Sequence, residues 1–254
     1  MSRYFFTIQY LGTRYAGWQL QENALSVQQV VEEALEKMFH EPVRVHGAGR
    51  TDSGVHALAQ RAHADVPFEI PPRGLILGIN QLLPPDVRIT RVEVAADDFH
   101  SRFASKAKTY EYRIWNAEVA DVFAGETHAH VAQPLDASRM QQAAQALVGT
   151  HDFRAFTVAE PEVESTVRTI EAIDVEWYAL PARPEAGWKP APLHITITAD
   201  GFLRYMVRRI AGSLIEIGRG KLEADALARS LEPAFEAARW TAPAKGLVLR
   251  EIRY

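Results

Sequence analysis

The sequence contains no cysteine. Disulfides, thiolate zinc sites and cysteine nucleophiles are excluded together. It has no surplus of positive charge: Lys+Arg is 28, Asp+Glu is 32, and the net charge is −4. A sequence-independent polyanion binder is usually basic, so any contact with nucleic acid must rest on local patches. No apolar run approaches the roughly 18 residues of a membrane span. The opening Met1-Ser-Arg-Tyr-Phe-Phe leads straight into a strand pattern, with no signal-peptide layout. A soluble cytoplasmic protein without membrane contact is expected. There is no P-loop and no HExxH, and Gly47-x-Gly49 lacks the strand–GxGxxG–helix context of a dinucleotide fold. His128 and His130 share a strand face, and His46, His56 and His63 flank a glycine turn. No carboxylate stands beside them at a recognisable zinc spacing, so no metal is expected.

What is present suffices for one large or two small domains with real cores: 254 residues, 47% of them hydrophobic. Strand patterns cover 3–10, 58–66, 108–115, 168–178, 193–199 and 247–253. The clearest helix is 26–39, with Val27, Val30, Val31, Ala34, Leu35, Met38 and Phe39 on one face. Ser26 and Gln29 have capping-box spacing at its start, and Pro42 is expected to end it. Further helices are expected over 74–83, from Asp136 through Val148, over 202–217, and over 225–231. Residues 179–192 read as a proline-rich loop. The paired order of strands and helices predicts an α+β protein of two halves, 1–105 and 106–254.

The chemistry concentrates in residues 47–60, Gly-Ala-Gly-Arg-Thr-Asp-Ser-Gly-Val-His-Ala-Leu-Ala-Gln. Gly47, Gly49 and Gly54 permit positive φ or a close approach. Asp52 either bonds its own backbone as an Asx turn or serves as a nucleophile or general base. Arg50 can pair with it and hold it ionised, and Thr51 and Ser53 can supply hydrogen bonds.

Tyr110 and Tyr112 lie two apart and share a strand face. Each is either packing or a ring for a base to stack on, with a hydroxyl able to move a proton. In 201–221, Arg204, Arg208, Arg209, Arg219 and Lys221 stand against Glu216 alone. Arg204 and Arg208 are four apart and share a helix face. Such a face is either solvated or suited to phosphate and to pairing with an acid. A second local excess, Arg102, Lys106, Lys108 and Arg113 against Glu111, lies in 99–115.

Gly49-Arg-Thr-Asp-Ser-Gly-Val-His-Ala57 resembles the defining motif of the tRNA pseudouridine synthase A family. Gly17-Trp-Gln19, Asp98-Phe-His-Ser-Arg-Phe103, Lys108-Thr-Tyr-Glu-Tyr112, Gly201-Phe-Leu-Arg-Tyr-Met-Val-Arg208 and Ala242-Pro-Ala-Lys-Gly-Leu247 resemble its other blocks, in the same order. The resemblance implies two ferredoxin-like (RRM-like) halves with joined antiparallel sheets and a central basic cleft. It implies a homodimer that isomerises uridine to pseudouridine at positions 38, 39 and 40 of the tRNA anticodon stem-loop, with no cofactor. By the same likeness Asp52 is the catalytic aspartate and Tyr110 stacks on the target base. Arg208 pairs with the aspartate, Arg50 helps flip the nucleotide out, and Leu247 lines the pocket. The chain departs from the family pattern in three places: Leu11 stands where an Asp is usual, Ser53 where Ala is common, and Arg209 where Asn is frequent. The competing readings are a non-catalytic RNA-binding module and a glycoside hydrolase. The latter lacks a second acid in the motif.

Overall fold

A computed structural model describes residues 2–158, 164–178, 191–232 and 240–254. The elements in chain order are β1 (Ser2–Tyr10), α1 (Val27–Phe39), β2 (Val45–Gly47), β3 (His56–Val66), α2 (Pro72–Leu82), β4 (Val87–Val94), β5 (Ala107–Asn116), β6 (Ala129–Val131), α3 (Ala137–Ala144), β7 (Gly149–Asp152), β8 (Val167–Trp177), β9 (Ala191–Ala199), α4 (Met206–Gly218), α5 (Ala226–Arg229) and β10 (Leu247–Arg253). The protein is α+β. It divides into two compact units, Met1–Lys106 with Leu249–Tyr254, and Ala107–Val248.

In the first unit β1 lies between β4 and β3, antiparallel to both, and β2 pairs antiparallel with β3. The period of two sets the core. Tyr4, Phe6, Ile8 and Tyr10 of β1 are at most 2% exposed, as are Val31 and Leu35 of α1 and Leu75 and Ile79 of α2. Each such side chain contributes about 1.5–3 kcal/mol on burial. Helix α1 starts as expected, with the Ser26 hydroxyl accepting from the Gln29 N–H at 3.2 Å. The return half of a capping box does not form, because the Gln29 amide donates to Glu33 instead. The helix ends before Pro42: His40 takes the left-handed conformation, φ 59°, and its N–H bonds the Glu36 carbonyl. Pro72 occupies the first turn of α2, where its missing N–H costs nothing.

In the second unit the sheet order is β5-β9-β8-β7, all antiparallel, with short β6 parallel to β5. Leu193, Ile195 and Ile197 of β9 are fully buried, together with Ile210, Leu214 and Ile217 of α4. The Asp136 carboxylate caps α3 by accepting from the Arg139 N–H at 2.9 Å. The α-helix stops at Ala144 and a 3₁₀ turn, Gln145–Leu147, completes the expected span. Helix α4 begins at Met206, later than the periodicity of 202–217 suggests. Tyr205 in front of it has φ 63°, a left-handed backbone that cannot continue an α-helix. Of 225–231, only Ala226–Arg229 is α-helical. Most of the loop 179–192 lies outside the described residues; Ala191 and Pro192 open β9. Among the described residues, no helix is long and apolar enough to cross a membrane.

Candidate functional site

The turn that carries Asp52 is built from the backbone outward. The Val55 N–H donates to the Asp52 carbonyl at 3.1 Å, which closes the turn, and Gly54 supplies its positive φ of 76°. Gly47 and Gly49 do not have positive φ. Gly47 serves close approach instead, since a Cβ there would sit 2.4 Å from the Trp18 indole nitrogen.

The segment 15–18 braces the turn from behind. Trp18 N–H donates to the Thr51 carbonyl at 3.1 Å, and Gly54 N–H donates to the Tyr15 carbonyl at 3.2 Å. Gly17, at φ 95°, lets this happen: a Cβ would meet the Thr51 carbonyl oxygen at 2.3 Å. From β3, the Gln60 amide donates to the Gly49 carbonyl at 3.0 Å.

The two flanking hydroxyls, which the sequence offered as donors to Asp52, are engaged in the brace. Ser53 donates to the Tyr15 carbonyl at 3.3 Å. The Thr51 hydroxyl is 2.8 Å from the Tyr10 hydroxyl. Burial pushes Tyr10 up to about 12, so it stays a neutral phenol at physiological pH. Asp52 is half-buried on this rigid frame. Arg50 is exposed and makes no ion pair among the described residues, so the expected Arg50–Asp52 pair is not formed. Its guanidinium is available to a ligand.

The usual Asp before Gly12 is replaced by Leu11, and the structure shows how the turn survives. The 3₁₀ turn Gly12–Arg14 has no side-chain cap. Leu11 N–H bonds the Asp86 carbonyl at 2.9 Å. The Asp86 carboxylate accepts from Arg14 at 2.7 Å and from the Tyr15 hydroxyl at 2.7 Å. An acid from the α2–β4 connection does the tethering.

The remaining candidates lie in the second unit. Tyr110 on β5 is 8% exposed, with its ring edge-on to Phe202 at 5.1 Å and 86°. Tyr112 on the same face is fully buried, and its hydroxyl donates to the Pro243 carbonyl at 2.9 Å. Burial raises its pKa, which fits a structural phenol. Of the pair, Tyr110 is the one with any exposed surface.

Arg208 projects from the first turn of α4 and is clamped to the segment before β10. Its Nε donates to the Ala242 carbonyl at 2.8 Å, and the Ala242 N–H donates to the Arg208 carbonyl at 3.0 Å. The guanidinium lies 5.1 Å from the Tyr205 ring centre. Leu247 is 5% exposed at the start of β10, following the 3₁₀ turn Ala244–Gly246.

The positive surface of 201–221 is smaller than its composition. Glu216, 4% exposed, binds Arg219 at 2.6 Å and draws Lys221 to 3.8 Å. Arg209 donates to the Thr157 and Ala155 carbonyls at 2.5 and 3.3 Å, a use the family's Asn could not reach. Arg204 lies before α4, and the left-handed Tyr205 breaks the helix face that the spacing of Arg204 and Arg208 predicts. Likewise Arg113 is held by Glu111 at 2.5 Å. Among the described residues, no group of three or more His, Asp or Glu is placed to hold a metal ion.

Sequence reasoning singled out Asp52 as a candidate but missed the brace of its turn. Tyr10, Tyr15 and Gln60 lie outside the motif's chemistry, and only the Gly17-Trp18 block signalled that another segment packs against the turn.

The sequence model of the tRNA pseudouridine synthase family matches residues 7–104 and 143–254. Three relatives carry the name tRNA pseudouridine synthase A. That of Myxococcus xanthus is 40% identical over 255 residues, spanning 100% of this chain and 92% of its own. That of Geobacter sulfurreducens is 38% identical over 248 residues, 97% of each. That of Limosilactobacillus fermentum is 38% identical over 258 residues, 100% and 96%. All the motif blocks therefore fall within one continuous similarity, and the chain belongs to the tRNA pseudouridine synthase family.

Proposed function

We propose that this chain isomerises uridine to pseudouridine in tRNA, at positions 38, 39 and 40 of the anticodon stem-loop, with Asp52 at the centre of the reaction. The reaction breaks the C–N glycosidic bond, turns the uracil and rejoins it to the ribose through C5. The C5 proton leaves and N1 gains one, so the step is redox-neutral and needs no organic cofactor. Asp52 acts either on the ribose, as nucleophile or base, or as nucleophile on the uracil. The target base must leave its stack to be reached. In this reading Arg50 assists that extrusion, Tyr110 stacks on the base, Leu247 lines its pocket, and Arg208 supplies the counter-charge for the aspartate.

The observation that carries the proposal is the turn itself. Asp52 is half-buried on a backbone held from Tyr15, Trp18 and Gln60. A preorganised acid on a rigid loop is what such chemistry requires. The exposed Arg50 beside it supports the extrusion role.

The reading includes ferredoxin-like halves with joined sheets and a basic cleft. The β-α-β-β-α-β succession of the first unit, with strand order β4-β1-β3-β2, supports its first half. A homodimer acting in the cytoplasm completes it.

The deciding experiment is tritium release from tRNA labelled at uracil C5. Wild type should release tritium, with the label at 38–40. Asp52→Ala should bind tRNA and release none. A wild-type chain that binds tRNA without release would be the RNA-binding module. Turnover by Asp52→Ala would assign the chemistry to another residue.

A further inference from the structure

The motif block Asp98-Phe-His-Ser-Arg-Phe103 has no part in the chemistry above, yet it borders a cavity. That cavity, about 670 Å³ and open to solvent, lies wholly within the first unit. It is lined by Phe5 of β1, Arg61 of β3, Glu93 of β4, His100, Phe103 and Tyr254 among others. The size suits a ligand of one or two rings.

Two features define what it would take. Phe103 is 79% exposed, an expensive state for a phenyl ring in water. It is nevertheless supported from beneath. Its ring lies 4.4 Å from His100 at 32°, His100 lies 4.6 Å from His63, and His63 stacks on His46 at 5.0 Å and 21°. His63 is itself anchored, with Nδ1 accepting the Ser101 N–H at 3.2 Å. The result is a ring platform with a defined plane and one face towards water.

The second feature is Arg61. Its guanidinium carbon lies 3.9 Å from the Phe5 ring centre and 5.7 Å from that of Tyr254, with Glu93 at 3.3 Å. Its two terminal nitrogens donate to the Thr7 hydroxyl and to Glu93, and each keeps a second N–H for a ligand on the cavity wall. Arg102, exposed and next to Phe103 in the chain, makes no ion pair among the described residues, while the exposed Asp98 gives the lining a second acid beside Glu93. A flat ring to stack, a donor for a carbonyl or ring nitrogen, and a cation for a phosphate describe a nucleotide. A protein partner would need a larger contiguous apolar area than the exposed Phe103 and Val94 of this cavity provide.

We propose that this cavity binds one unpaired nucleotide of the tRNA substrate, its base stacked on Phe103, away from the base that reacts. The proposal rests on the tRNA reading of the preceding section. It makes the first unit a recognition surface as well as the carrier of the acid.

The test uses the full chain and an unmodified tRNA transcript, after wild type has been shown to release tritium. Phe103→Ala should raise the Kd for tRNA roughly tenfold, the loss of one base–aromatic stack. Phe103→Trp should restore it. Being exposed, Phe103 can change without disturbing the core. A photo-crosslinking phenylalanine analogue at position 103 should label a single unpaired nucleotide. Unchanged affinity in Phe103→Ala overturns the proposal, as does a crosslink that joins two copies of the chain rather than chain to RNA. Absent tritium release in wild type would strike the isomerase reading instead, and the two failures are thereby distinguished.

Discussion

The backbone N–H of Gly12 donates to Nδ1 of His56 at 2.9 Å, joining the segment after β1 to the close of the Asp52 turn. The bond fixes the imidazole as an acceptor at Nδ1. It also presses the two segments together, so that a Cβ on Gly12 would stand 2.0 Å from the Val55 carbonyl oxygen. Gly12→Ala should therefore push the turn outward. We expect a stability loss of about 1–3 kcal/mol, typical of overpacking, and a loss of tritium release greater than that loss explains. Urea denaturation beside the activity assay checks this. A variant with wild-type midpoint and turnover would show the contact to be slack.

Tyr110 offers a separable ring and hydroxyl. If Asp52 acts on the ribose or the uracil, as in the reading proposed above, a second group must take the C5 proton. Tyr110→Phe keeps the ring and its edge contact with Phe202. It should bind tRNA as wild type does, while single-turnover isomerisation slows by roughly 10²-fold, the scale of a lost general acid or base. Full activity in Tyr110→Phe would confine the residue to stacking.

Arg208 is held by its Nε, and a lysine has no counterpart to that atom. Arg208→Lys keeps the charge and loses the bond to the Ala242 carbonyl. We expect destabilisation of about 1.5–3 kcal/mol, the range for a hydrogen bond from a charged donor, together with impaired turnover. Arg208→Ala should be worse in both. If Arg208→Lys is fully active, the guanidinium's fixed direction is irrelevant to the site.

Glu111 makes acid stability testable. Burial alone would raise its pKa, but His194 and Arg113 outweigh burial and bring it down to about 2. A carboxylate held below its unfolded value stabilises the fold above that value, about 4.5, and loses the contribution as pH falls towards 2. Glu111→Gln should flatten the stability profile between pH 4.5 and 2, by up to about 3 kcal/mol. Denaturation midpoints across that window read the effect. An unaltered acid limb would mean that the pair contributes nothing net.

The long elements were legible because their periods were clean. β1, α1, β5 and β9 each show one apolar face, and the structure buries that face. The short strands β2, β4, β6 and β7 were not read. In β2, β6 and β7 three or four residues carry too little alternation, and pairing rather than propensity makes them strands. β4 has eight residues, but a register shift between Ile89 and Arg91 moves its buried set from Val87 and Ile89 to Val92 and breaks the period of two. The end of α1 fell at Phe39, as its periodicity suggests, but the start of α4 was placed too early because Tyr205 adopts a left-handed backbone. His40 and Tyr205 carry no composition signal for it. In the site, the acid stood out by its glycines, but two of the three proved not to need positive φ. The charge count over 201–221 misled because Glu216 is buried beside two of the bases it was weighed against. Counting charges cannot see which are already paired.

The division of β10 bears on how the protein is made. Its residues from Leu249 onward belong to the first unit, where the Tyr254 hydroxyl donates to the Ser101 carbonyl and the ring packs edge-on against Phe5 at 4.9 Å. A ribosome releases these residues after the whole of the second unit. The amino-terminal unit, with the Asp52 turn in it, therefore waits unfinished while the second unit is made, and β10 closes it. Contacts of such sequence separation slow folding. Loss of Leu249–Tyr254 would be felt first in the unit that carries β1.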